Sequence, residues 1–318
     1  MLWIGDLFRE FCNNYKMKTA ILIPYFGKFP VWFDLYMYSC SRNPRIDFLF
    51  FTDCELPERI YDNTMFYKTD FDSYCKRVSE CLSIDFHPTD SYKLCDLKPF
   101  YGIIHKVELE GYDFWGFGDI DLIYGDLNLI VNQSNLEKYD FITALSDRIA
   151  GHFTVMRKES KFTGLCMQIP NFKERLESQK NYVVDEVDLC KIAYPQLKNV
   201  GRVFRHIVEP LHFVSRETYF NWCSNFFCNR LTRRKFWDYR TTPKPKQCEK
   251  WEYDLENGIV TEPSGKSIPY LHFFFFRDNR WEKPERYWQG EYYTVSNAEL
   301  FNGKGIVTVD IRGIRINE

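Results

Sequence analysis

Two aspartates two positions apart, Asp119 and Asp121, are the residues in this sequence best suited to gather a metal ion. On an extended chain side chains i and i+2 share a face, so both carboxylates project to one side while Ile120 turns to the core. Oxygen donors of this kind suit Mg2+ or Mn2+, which keep coordination positions open for water or phosphate oxygens. An ion so held stabilises a diphosphate as it departs. The spacing alone is a weak signal, because Asp-x-Asp arises by chance about once in a chain of ordinary composition, and Asp70 with Asp72 repeats it. The setting favours the later pair, which ends the aromatic run YDFWGF (112–117) and is flanked by Gly118 and Gly125. The alternative is a solvated turn.

Three other groups of residues have chemical potential. Asp185 and Glu186 follow the short apolar run of NYVVDEVDL; in the plainer reading Asp185 caps a helix whose first turn holds Asp188. His272 stands in YLHFFFFRDNRW, and a single histidine beside four phenylalanines is most often a hydrogen-bonded core residue. The stretch 230–246, RLTRRKFWDYRTTPKPK, carries seven Lys or Arg against one acid, Asp238, with Phe236, Trp237 and Tyr239 among them. Such a surface can rest on anionic lipid, or it is a solvated loop.

The elements that must position these residues show in the hydrophobic pattern. TAILIPYFG, from Thr19, is a short apolar run ending in Pro24, Tyr25 and Gly27, the form of a buried parallel strand entering a loop. Residues 30–42 read as a helix, and IDFLFFTD (46–53) as a second strand, so the chain opens strand, helix, strand. No element can be placed between 55 and 90. The stretch from Asp90, DSYKLCDLKPFYGIIHKVEL, reads as helical in two pieces, with Pro99 starting the second. YDFWGF, YDFITAL (139–145) and HFTVMRK (152–158) read as strands, 158–180 as helical, and the closing GIVTVDIRGIRI as one alternating strand. Near-helical spacing of Leu2, Trp3, Leu7, Phe8 and Phe11 predicts a helical extension over 1–16, and Met17 is an equal candidate for the start. The expectation is an α/β fold, a doubly wound and mostly parallel sheet flanked by helices, with a less regular C-terminal half.

Bulk properties narrow the class. Aromatic residues make up 18% of the 318, including 29 Phe and 21 Tyr, which suits a thick sheet and stacking on flat ligands. A net charge of −2 gives no global attraction to nucleic acid. Eleven cysteines are scattered without a C-x-x-C pair, so they are expected to be reduced and mostly buried. The N-terminus, with Asp6 and Glu10 in its apolar stretch, lacks a signal-peptide pattern, and no apolar run approaches the roughly 20 residues of a membrane span. A cytoplasmic enzyme is expected, possible contact with the inner face of a membrane being through 230–246.

From Ile21 to about Asp188 the sequence resembles the A-type (GT-A) glycosyltransferases, especially bacterial polysaccharide-biosynthesis enzymes with a strand reading like FWGFGDIDLIYGD, and a fainter echo follows at the C-terminus. The resemblance implies a metal-dependent transferase moving a sugar from a nucleotide-diphosphate sugar to a glycan or lipid-linked acceptor. It implies one domain over 17–318, with 17–125 as the nucleotide-sugar half and 126–318 as the acceptor half. Donor contacts then fall on Pro24, Tyr25 and Phe26 after the first strand, on Thr52 and Asp53 after the second, and on Lys93, Asp96 and Lys98 in the helix before the metal motif. A third metal ligand is implied at His272, with His212 as a rival, and a phosphate-binding base at Arg277 or Arg280. Asp185 and Glu186 match the acidic motif on the acceptor side, where inverting enzymes keep a general base and retaining ones a positioning group. The Gly and Lys-Pro-Trp of familiar retaining relatives are missing here. Two other classes share the pattern. A nucleotidyltransferase would open with a Gly-rich basic loop, whereas PYFGKFP has one Gly and one Lys; a non-catalytic glycan-binding protein would release no nucleotide.

Overall fold

A computed structural model of the chain describes residues 16–160, 163–212, 214–226, 233–237, 239–243, 249–274 and 292–317. The helix expected over 1–16, Lys16 apart, and the basic candidates Arg277 and Arg280 lie outside the described residues. Two apolar runs and a half-buried edge strand open the parallel part of the main sheet: β1 (Thr19–Pro24), β2 (Ile46–Thr52) and, at the edge, β3 (Thr64–Lys68). Helix α1 (Phe33–Ser41) makes the first crossover, and α2 (Phe71–Leu82) follows β3. Next come β4 (Phe114–Gly118), β5 (Leu122–Tyr124), β6 (Phe141–Thr143), β7 (Phe153–Arg157) and β8 (Arg234–Phe236). The seven-stranded sheet has the order β3-β2-β1-β4-β7-β6-β8. Its pairs are parallel except β4 with β7 and β6 with β7.

Both faces of this sheet are covered, which explains why β1, β2 and β4 are apolar throughout rather than alternating. One face carries α2 and the segment around residues 91–104, the other α1 and residues 127–139. The C-terminal half adds β9 (Trp251–Asp254), β10 (Ile259–Thr261), β11 (Ser267–Ile268), β12 (Tyr270–His272), β13 (Ile306–Asp310) and β14 (Gly313–Asn317). Five of these make an antiparallel sheet in the order β11-β10-β9-β13-β14, and β12 pairs with β5 as a separate ribbon. Trp251, Tyr253 and Val309 of the second sheet pack on Trp32, Leu35 and Tyr38 from α1 and its approach, together with Ile123 of β5.

The α/β class with a mostly parallel sheet is as the sequence predicts, and four details differ. The unassigned span 55–90 holds β3 and α2, with Asp70 as the N-cap of α2: its carboxylate accepts from the Ser73 N–H at 2.8 Å, which disposes of Asp70/Asp72 as a metal pair. The piece expected to begin at Pro99 instead contains Pro99 within a 3-10 segment, Ser91–Phe100, followed by one α turn, Tyr101–Ile104. The closing strand is a hairpin, because Gly313 at φ 120° lets the chain reverse between β13 and β14. Finally, the described part of 230–246 is built into the fold: Phe236 is fully buried in β8. The eight described cysteines are free thiols, most of them buried. No helix among the described residues is long and apolar enough to cross a membrane.

Candidate active site

Strand β4 ends at Gly118, the chain bends through Asp119, Ile120 and Asp121, and β5 resumes at Leu122. The aspartates thus occupy a bend rather than the extended strand expected from their spacing. The bend is pinned on three sides: the Asp119 N–H donates to the His152 carbonyl at 3.0 Å, the Trp32 indole N–H to the Ile120 carbonyl at 3.0 Å, and the Phe273 N–H to the Asp121 carbonyl at 3.1 Å. Glycine is required at 118, since a Cβ there would stand 2.6 Å from the Tyr124 hydroxyl. Ile120 is buried, as the sequence reading asks.

The β5–β12 ribbon brings in the third residue. In its antiparallel register His272 lies opposite Leu122, one step from Asp121, and His272 Nε2 is 3.6 Å from Asp121 Oδ2. One ligand atom each from Asp119, Asp121 and His272 falls within 4.8 Å of the others. Two carboxylate oxygens and an imidazole nitrogen are a donor set that a divalent ion such as Mn2+ or Mg2+ accepts, so the residues fit the group the sequence predicts. The second nitrogen of His272 has Thr242 Oγ1 at 3.3 Å, a partner that fixes ring orientation. His152 stacks on His272 with ring centroids 4.1 Å apart and contacts the Tyr270 hydroxyl at 3.1 Å. Burial, followed by the adjacent His272, holds the His152 imidazole well below its ordinary range, so it stays neutral. His212, the rival ligand, is exposed at the end of a helix and takes no part.

Lys98 joins the metal side to the acceptor side. Its buried ammonium lies 2.6 Å from Asp119 Oδ1, 3.4 Å from Asp185 Oδ2, and 2.8 Å from the Gly151 carbonyl, to which it donates. Burial works against the charge on Lys98, but Asp119, Cys95 and Asp185 outweigh it and raise its pKa well above the usual value. For Asp185 burial is the largest influence; Lys98 offsets it only in part, Glu186 and Asp119 add to it, and the carboxyl is pushed up to about 7. Gly151 is another site of close approach, because a Cβ would meet Asp185 Oδ2 at 2.6 Å and Glu186 Cγ at 2.7 Å.

A buried clamp presents Asp185. Lys93 and Asp96 pair at 2.9 Å beneath the cavity wall, and Lys93 also donates to the carbonyls of Arg175 and Lys180. Asp96 accepts the N–H groups of Tyr182 at 2.9 Å and Val184 at 3.1 Å. Between them Val183 takes φ 55°, a left-handed conformation costly for a β-branched residue. The wide π-helical turn Val184–Asp188 follows and turns Asp185 and Glu186 into the site. Asp188, the other acid of the expected cap, is held by Arg175 and Lys191.

These groups line a cavity of about 1480 Å3 that also takes in Pro24, Tyr25 and Phe26. Of the remaining candidates, Lys93, Asp96, Thr52 and Asp53 do not line it. Thr52 accepts from the Cys54 N–H at 3.0 Å, and Asp53 accepts the Gly27 N–H at 2.7 Å, so these residues shape the loops rather than face the cavity. The sequence reading missed His152, Arg148, Arg216, Arg240, Glu262 and Lys266, all on the cavity wall. Only His152 left a trace, standing at the mouth of a strand as Asp119 does. Asp147 pairs with its neighbour Arg148 at 3.1 Å and with Arg216 at 2.7 Å, the latter across a sequence gap that no local pattern reports.

No curated protein matches the chain. Two solved structures of the glycosyltransferase GlyE of Streptococcus pneumoniae TIGR4, one described as the apo form, are similar to it with a TM-score of 0.29 in each case and 14% and 9% identity. The similarity covers 64% of this chain and 56% and 55% of theirs, little more than half of their length. A likeness that slight carries no argument about activity, which has to come from the site itself. A family model described as a family of unknown function (DUF6625) matches residues 21–283, most of the chain. The chain belongs to that family, DUF6625.

Proposed function

We propose that the chain is a metal-dependent glycosyltransferase, moving a sugar from a nucleotide-diphosphate sugar to a hydroxyl of a glycan or lipid-linked acceptor in surface polysaccharide synthesis. One observation carries the reading: a donor set of two carboxylates and an imidazole faces a buried acid, Asp185, across Lys98 within one cavity. That cavity, about 1480 Å3, exceeds the roughly 300–1,000 Å3 of a single small-ligand site and leaves room for donor and acceptor together. It also opens at the carboxyl ends of β1 and β4, where the strand order reverses, the place at which doubly wound sheets bind nucleotides.

Asp119, Asp121 and His272 would hold Mn2+ or Mg2+, which when bound supplies Lewis-acid stabilisation of the departing diphosphate. Pro24, Tyr25 and Phe26 take the nucleotide, with the Tyr25 ring already stacked on Phe29 at 5.5 Å and its loop tied down by Asp53. Thr52, Lys93 and Asp96 support these contacts from behind. Lys98 keeps Asp119 and Asp185 at a set separation. Asp185 accepts the proton of the acceptor hydroxyl, and Glu186 beside it orients that hydroxyl. Arg277 is assigned to the phosphates on the sequence resemblance. Residues 17–125 make the donor half and 126–318 the acceptor half, the latter also lending His272 and Arg277 to the donor's diphosphate.

The test is a Mn2+ titration followed by a thermal-shift screen of nucleotide sugars. The wild type should be stabilised by one nucleotide sugar only when Mn2+ is present. Asp121→Ala should weaken Mn2+ binding at least about 100-fold and remove that stabilisation. Unchanged Mn2+ affinity in the variant, or no donor that stabilises the wild type, sinks the reading.

A further inference from the structure

Among the described residues, six of the fifteen large apolar side chains left exposed belong to one short region: Val203, Ile207, Leu211, Val214, Trp222 and Phe226. They sit on a helical hairpin. Its first arm runs through Leu197–Val203, a π-helical turn Phe204–Val208 and Glu209–Leu211; its second is the helix Arg216–Ser224. The hairpin has a small core of its own, in which Val200 and Phe204 meet Phe220 and Cys223. The wide π turn re-phases the first arm, so that Val200, Phe204 and Val208 remain on the inner side while Val203, Ile207 and Leu211 form a row outside it. Trp222 is 64% exposed and stacks on Phe226, 52% exposed, with ring centroids 5.9 Å apart. A row of large apolar groups turned to water on elements that already have a core marks a contact surface.

Charge selects the occupant. Over residues 197–226 the sequence carries Lys198, Arg202, Arg205 and Arg216 against Glu209 and Glu217, although the whole chain has a net charge of −2. Aliphatic side chains with an exposed tryptophan and a basic fringe are what an anionic bilayer interface accepts, the rings entering the headgroup layer and the cations meeting phosphate. The same hairpin contributes Arg216 and Phe220 to the wall of the cavity, so a surface held by its outer side lies at the cavity's rim.

We propose that the hairpin 197–226 docks the protein on an anionic lipid surface through Ile207, Leu211, Trp222 and Phe226, with Arg202 and Arg205 as the electrostatic fringe. This assigns the contact to a different place from the basic stretch 230–246. It does not depend on the transferase reading, because lipid binding is read without donor, metal or turnover.

The test is flotation of the full chain with vesicles of phosphatidylcholine alone or with about one-third phosphatidylglycerol. The wild type should float with the anionic vesicles, release as salt rises, and partition at least about tenfold less onto phosphatidylcholine alone. Ile207→Ser combined with Trp222→Ser should lower partition at least about tenfold while leaving the circular dichroism and thermal midpoint unchanged, as both side chains are exposed. Brominated lipid should quench wild-type fluorescence more than that of Trp222→Phe. The proposal is overturned if the wild type fails to float, if the double variant floats equally well, or if the face instead holds a second copy, shown by a dimer that the double substitution dissociates.

Discussion

At Gly151 the absence of a side chain is a structural requirement: its Cα stands so close to Asp185 and Glu186 that a methyl group would displace both. Gly151→Ala is therefore expected to reduce turnover at least about tenfold with little change in donor affinity, because a shift of under an ångström in Asp185, the proton acceptor we propose, is felt mainly in the transition state. Asp185→Asn should show the same split in a steeper form. Steady-state kinetics with donor and acceptor varied separately would check both, and a loss of donor affinity at constant turnover would contradict the assignment of Asp185 to the acceptor side. His272 shows how far a residue's role depends on its neighbours. Beside four phenylalanines it reads as a core histidine; in the fold its Nε2 faces Asp121 because the opposite nitrogen has Thr242 as partner.

Among the elements, the 3-10 segment Ser91–Phe100 does more than its irregular hydrogen bonding suggests. From one side it offers Lys98 to the cavity, and from the other it holds the Lys93–Asp96 pair that anchors residues 180–184. Removing one partner of a buried pair leaves a charge without compensation, at a cost of about 3–5 kcal/mol. Asp96→Leu should be more destabilising than Lys93→Met, since the first strands a buried ammonium and the N–H groups of Tyr182 and Val184 together, whereas the second leaves Asp96 its two N–H donors and strands, besides one carboxylate contact, the carbonyls of Arg175 and Lys180, which are less costly to leave short of a partner than N–H groups. Urea unfolding of the two variants would rank them, and equal or reversed midpoints would show that the pair is not the anchor. The β5–β12 ribbon is the second such device. It carries no catalytic group in β5, yet its register alone sets His272 next to Asp121.

For the whole molecule, acid sensitivity should come in part from His105, which is packed among Phe51, Tyr74 and Tyr101. It is fully buried, its Nε2 lies 2.9 Å from the Tyr74 hydroxyl, and its ring lies 4.0 Å from that of Phe51. Burial, opposed by Glu108 and reinforced by Arg77, lowers its pKa to about 4. The unfolded chain, with His near 6.5, binds a proton that the folded chain refuses. Stability is therefore complete above about pH 6.5, falls as the pH drops from there to about 4, by up to about 3 kcal/mol, and levels off below. His105→Phe keeps an aromatic ring in the stack and should flatten the profile over that window. Thermal midpoints of both proteins between pH 7 and pH 4, each taken relative to its own value at pH 7, would reveal this, and parallel curves would mean that other groups control acid unfolding.

Periodicity by itself determined the α/β class and the opening strand, helix, strand, because strands buried on both faces must be continuous apolar runs and β1, β2 and β4 are such runs. Residue types and spacing also marked Asp119, Asp121 and Asp185 as acids worth attention. Between 55 and 90 the pattern is only half legible: β3 is a half-buried edge strand without a continuous apolar run, whereas α2 does carry an apolar face at helical spacing, Phe71, Tyr74, Cys75, Val78 and Leu82. The hairpin of β13 and β14 was hidden because one alternation runs through both strands, and the chain reverses at 311–312, where the Asp310 carboxylate accepts the Arg312 N–H at 2.8 Å and Gly313 takes a positive φ. What tertiary structure alone decided was the company each group keeps. Lys98 meets Asp185, His272 meets Asp121, and Arg216 meets Asp147 across 87, 151 and 69 positions of chain. Side-chain chemistry is local to a residue, but proximity, burial and the pKa shifts that follow from them arise only when the sheet closes distant segments around one cavity.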